Sequence, residues 1–60
     1  MTTEEKVLIV GACKTAARDI VTSLESTLGV NVAYPATVRA GVLYEELTRL
    51  ERELSAGGAQ

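Results

Sequence analysis

The chain has 60 residues, 47% of them apolar, with one cysteine, no histidine, no phenylalanine and no tryptophan. That inventory excludes an internal disulfide and a zinc site assembled from Cys and His of a single chain. The formal charge is −2 and the six cations (Lys6, Lys14, Arg18, Arg39, Arg49 and Arg52) are scattered, which speaks against a general nucleic-acid binder, because displacing counterions needs clustered Lys and Arg.

Met1 to Glu5 is a polar lead-in, expected to fray. Lys6 to Val10 reads as a first strand: it is short, β-branched and apolar at consecutive positions, as a strand covered on both faces would be. Gly11 closes it. Val7-Leu8-Ile9-Val10 is too short for a signal segment or a membrane span, so a cytoplasmic location and no membrane partner are expected. A lone thiol fits that reducing compartment.

The next stretch, about Cys13 to Leu28, is predicted to be helical. Cys13, Ala17, Ile20, Leu24 and Leu28 share one face, and Ala16 and Val21 widen the stripe. Gly29 stands where a helix-ending residue of left-handed conformation is expected. Val30 to Tyr34 is a candidate second strand, with an ordered loop as the alternative, and Pro35 closes it because proline cannot donate to a ladder. A second helix is predicted from about Ala36 to Ser55, with Pro35 just ahead of or at its first position. Its seam is Ala36, Ala40, Leu43, Leu47, Leu50 and Leu54, spaced by fours and threes like the a and d positions of a heptad. Glu45 precedes Arg49 by four residues, a favourable helical pairing. Gly57 and Gly58 end the helix, and residues 56–60 are expected to fray. The resulting fold class is α/β, a small β-α-β-α unit forming one domain over residues 1–60.

The leucine seam is the most informative feature. It either packs on the chain's own sheet or mates with a second copy. A chain below roughly 70–80 residues gains little from a private core, and disulfide and zinc staples are ruled out here, so association is the expected route to stability. The predicted oligomer interface is Ala40, Leu43, Leu47, Leu50 and Leu54. Val38 and Val42 lie off the seam and form a second apolar stripe.

Two stretches carry resemblances to known families. Lys6 to Ile20, reading Lys-Val-Leu-Ile-Val-Gly-Ala-Cys-Lys-Thr-Ala-Ala-Arg-Asp-Ile, resembles the dinucleotide-binding fingerprint of Rossmann domains, in the version found in flavin-dependent monooxygenases. Gly11 matches the first glycine and Ala16 the third position, whereas Cys13 replaces the second glycine and no acidic residue follows the second strand. The resemblance implies a strand-turn-helix whose helix start, with Gly11, Lys14 and Thr15, is the candidate anion or phosphate site. Val38-Arg39-Ala40-Gly41-Val42-Leu43, nine residues beyond Gly29, resembles the second helix of ParD-type ribbon-helix-helix antitoxins. That resemblance implies a dimer whose N-terminal strands pair into a ribbon reading the major groove. Neither face of Lys6 to Val10 offers a polar row for base readout, which leaves Lys6, Lys14 and Arg18 for phosphate contacts.

Catalysis has no visible basis. There is no histidine and no paired-carboxylate site, and Cys13 reads as a small buried apolar residue rather than an activated thiol. The acids read as solvated helix faces. The expected function is a non-enzymatic, homo-oligomeric assembly module without cofactor or metal, its partner a second copy or another protein. The alternative is a ribbon-helix-helix DNA-binding antitoxin or repressor, with DNA a partner only in that case. A nucleotide- or phosphate-binding fragment is the third reading.

Overall fold

The computed structural model describes residues 1–58, and these form two helices, α1 at Thr3–Leu28 and α2 at Val30–Gly58, folded back on each other as an antiparallel hairpin. Among the described residues there is no strand, so the α/β assignment is overturned. The segments 6–10 and 30–34 lie inside α1 and α2, the helices read as 13–28 and 36–55 are each longer, and a ribbon-helix-helix dimer has no ribbon to build. The Rossmann-like reading loses its strand and its strand-to-helix turn in the same way. Of the tail expected to fray, residues 56–58 are helical and residues 59–60 lie outside the described residues.

The physical reason begins at the N-terminus. Thr2 accepts a hydrogen bond from the Glu5 backbone N–H at 3.1 Å, and the Glu5 carboxylate accepts one from the Thr2 N–H at 3.0 Å. This reciprocal capping box starts α1 inside the supposed lead-in and commits the following residues to helix. Those bonds also hold the Glu5 carboxyl below its ordinary pKa, the backbone contribution being the larger. Val7 and Val10 then fall three apart on the inner face, while Leu8 points to solvent at 73% exposure. Four consecutive apolar residues read as a doubly covered strand. Here they are a helix that is apolar around much of its circumference.

Gly29 makes the whole connection. Its φ of 84° and ψ of 154° lie in a region open to glycine and almost no other residue. Its N–H donates to the Glu25 carbonyl and its own carbonyl accepts from Ala33 N–H, both at 3.0 Å, so one residue ends α1 and starts α2. The predicted helix end at Leu28 therefore stands, but α2 begins at once rather than after a strand. Pro35 lies within α2, not ahead of it. It has no N–H to give the carbonyl of Asn31, one turn back. Thr37 Oγ1 donates to the Tyr34 carbonyl at 3.1 Å, adding a side-chain bond in the turn that carries the proline.

The seam between the helices follows a heptad on both sides. In α1 it runs through Val7, Val10, Lys14, Ala17, Val21 and Leu24; in α2 through Ala33, Thr37, Ala40, Leu47, Glu51 and Leu54, with Tyr44 at the same spacing on its margin. Most of these side chains are half-buried. Ala17 and Ala33 alone among the described residues are buried, each at 2% exposure, and no bulky side chain is enclosed. The molecule is a rod with Cα extents of 44 × 15 × 10 Å, two helices thick in one direction and one in the other.

Candidate self-association surface

Heptad position sorts the side chains into an inner seam and two flanks. The α1 flank beside Val10, Ala17 and Leu24 carries Cys13 and Ile20, with Ile9 and Ala16 one step further out. The α2 flank beside Ala40, Leu47 and Leu54 carries Ala36, Leu43 and Leu50. All seven flanking residues are exposed: Ile20 at 51%, Leu43 at 50% and Leu50 at 42%. In an antiparallel pair, equivalent flanks of the two helices fall on the same side. The opposite side demonstrates this register, since Arg18 of α1 and Gly41 of α2 line one groove there.

The predicted interface residues thus divide. Ala40, Leu47 and Leu54 point into the hairpin's own seam and are half-buried, while Leu43 and Leu50 stand on the flank, open to solvent. Val38 and Val42 lie on the outer side of α2, also exposed. Sequence reasoning missed Ile9, which it placed in a strand, and it read Cys13 as buried although the structure leaves that side chain exposed. A helical wheel continued N-terminally from Cys13 would have found Ile9, four residues back on the same stripe.

The second side of the rod carries two grooves, the larger one mostly apolar in its lining with charges at its walls. An open groove of about 450 Å³ is lined by Ala17, Val21, Ala40 and Gly41, with Arg18, Tyr44 and Glu45 at its walls. Next to it, a smaller groove of about 170 Å³ brings Gly11, Lys14 and Thr15 together with Arg18, Tyr44 and Glu51. The sequence placed the first three at a helix start. They sit in the middle of α1, where the backbone N–H groups are bonded within the helix, and the N-terminus that could hold an anion lies at Thr2 instead. Thr15 Oγ1 donates to the Gly11 carbonyl at 3.3 Å.

Lys14 is committed within the hairpin. Its Nζ donates to Glu51 Oε1 at 2.8 Å, and the same Nζ lies 5.0 Å from the centre of the Tyr44 ring. The Glu51 hydrogen bond raises the lysine pKa above its ordinary value of 10.5, against the opposing effect of desolvation. A polar pair at an inner heptad position fixes register, because a slip would leave half-buried charges unpaired. A second ion pair, Arg49 to Glu46 within α2, is solvent-exposed, and the Glu45–Arg49 pairing expected from the sequence is replaced by it.

Among the described residues no group of three or more potential metal ligands gathers, and no helix is long and apolar enough to cross a membrane. No family model matches the chain, and no curated protein or solved structure matches it.

Proposed function

We propose that this chain is a non-enzymatic self-association module, each hairpin supplying part of a core that a second copy completes. One observation carries the reading. The hairpin exposes 4538 Å² of surface. A compact monomer of its 6.4 kDa mass exposes about 3800 Å². The surplus of about 750 Å² is close to the roughly 800 Å² that each partner covers in a standard interface. The radius of gyration agrees: 13.9 Å, against about 10 Å for a compact domain of this length.

That no bulky side chain is enclosed among the described residues gives this surplus its physical meaning. Hydrophobic stabilisation scales with apolar area removed from water, at about 25 cal/mol per Å². A two-helix layer of Val, Leu, Ile and Ala removes little. A second layer adds area without ordering much more backbone, so assembly and folding reinforce each other. A cytoplasmic setting, in which Cys13 stays a thiol, fits a module held by burial alone.

The test is thermal unfolding followed by circular dichroism over a wide range of protein concentration. Coupled assembly makes the Tm rise with concentration, because the oligomer binds its own subunits only in the native state. A sharp transition whose midpoint stays fixed across the dilution series would overturn the proposal.

A further inference from the structure

We propose that the second copy docks on one particular side of the rod, the flank formed by Cys13 and Ile20 of α1 and Leu43 and Leu50 of α2, giving a four-helix bundle. This rests on the self-association reading and specifies the surface that carries it.

The apolar stripe is offset from the hairpin contact. The inner seam has two rows in each helix. The row beside the proposed flank is entirely apolar: Val10, Ala17 and Leu24 in α1, and Ala33, Ala40, Leu47 and Leu54 in α2. The row on the other side includes Lys14, Thr37, Tyr44 and Glu51. The flank then extends the apolar row with more apolar residues. The centre of the apolar stripe is therefore rotated away from the partner helix, toward the same side of the rod in both helices. A helix with one neighbour needs a narrow seam, whereas a helix in a four-helix bundle meets two neighbours and needs a broader one. The offset is in the direction a second layer requires.

Covering the opposite side would carry a cost. Lys14, Arg18, Glu45 and Glu51 line the grooves there. A copy seated there would meet the apolar floor of the larger groove but would strip water from Arg18 and Glu45 at its walls and from the Lys14–Glu51 pair, a desolvation cost that the proposed flank does not carry. Between Ile9 and Ile20 the proposed flank of α1 carries no charged side chain. On α2, Arg39 and Glu46 lie one step further out, where the rim of an interface is solvated and polar.

Cys13 provides the test, since it is exposed in the single hairpin and would be covered in the bundle. N-ethylmaleimide labelling of the intact chain is timed across a dilution series, alongside sedimentation of the same samples. The expected result is a labelling rate that falls in proportion to the fraction of single chains. Leu43→Lys is expected to sediment as a single chain and to label, at every concentration, at the rate of the most dilute wild-type sample or above, while Val38→Lys on the outer side leaves both properties of the wild type unchanged. If wild type assembles but Cys13 labels equally fast in assembled and single chains, the face is wrong and self-association stands. The same holds if Val38→Lys dissociates the assembly and Leu43→Lys does not. If wild type never assembles, both readings fall together. The wild-type labelling arm needs no variant to fold.

Discussion

Lys14 shows how one residue's position decides its role. Read along the chain it follows a cysteine and precedes a threonine, a plausible anion contact. Read in the hairpin it is an inner-seam residue whose ammonium reaches across to Glu51 and lies against Tyr44. A single lysine on an otherwise apolar stripe is a register device, and its partner is 37 residues away in sequence, beyond the reach of any local pattern. Because the folded state raises the Lys14 pKa, the stabilisation is fully present below the ordinary lysine value and is lost as pH rises through the raised one. Urea titrations carried into the alkaline range should therefore show a fall in the wild-type midpoint that is smaller in Lys14→Met. Equal alkaline sensitivity in the two proteins would show that the pair contributes nothing measurable.

At the scale of the elements, α1 and α2 were legible in their central parts and illegible at their starts. The helix end at Leu28 and the turn at Gly29 follow directly from the sequence, as does the shared face of Ala17 and Leu24. The start of α1 was also encoded, in Thr2 and Glu5, but the β-branched run from Val7 to Val10 outweighed it. A run apolar at every position carries no period, so strand and helix look alike until the cap is taken into account. Pro35 misled for a different reason. Proline usually marks a boundary, but here the hairpin contact holds helical geometry on both sides of it. On the flank, the shared stripe of Leu43 and Leu50 was legible from their spacing, whereas their neighbours across the rod required knowledge that α1 runs antiparallel. Two glycines test these assignments with opposite signs. Gly29→Ala should cost about 1–3 kcal/mol, because the observed backbone angles exclude a Cβ. Gly41→Ala should stabilise the helix by roughly 0.5–1 kcal/mol, since nothing stands within 4 Å of the added carbon. Chemical denaturation of both variants measures the pair; a neutral Gly29→Ala would show that the turn is not confined as described.

For the whole molecule, the governing fact is geometric. Two helices side by side form a single layer, and a single layer has no inside. The seam between them half-covers most of its residues, and the two alanines that it buries contribute little apolar area themselves. What remains includes an extended apolar flank shared by both helices, set against a side that carries Lys14, Arg18 and Glu51. Folding in isolation would leave that flank in water, and pairing two flanks turns two layers into a core. Leu47 and Leu50 separate the two levels of organisation. Leu47→Asp strikes the hairpin seam and should abolish helical structure at every concentration, whereas Leu50→Asp strikes the flank and should raise the concentration at which helix and assembly appear together, a difference that circular dichroism across a dilution series would register. The most direct measurement is sedimentation equilibrium of the wild-type chain at micromolar concentration. The account requires a mass of at least two chains, each of 6.4 kDa, dissociating on dilution with loss of helix. A stably helical species with the mass of one chain would contradict it.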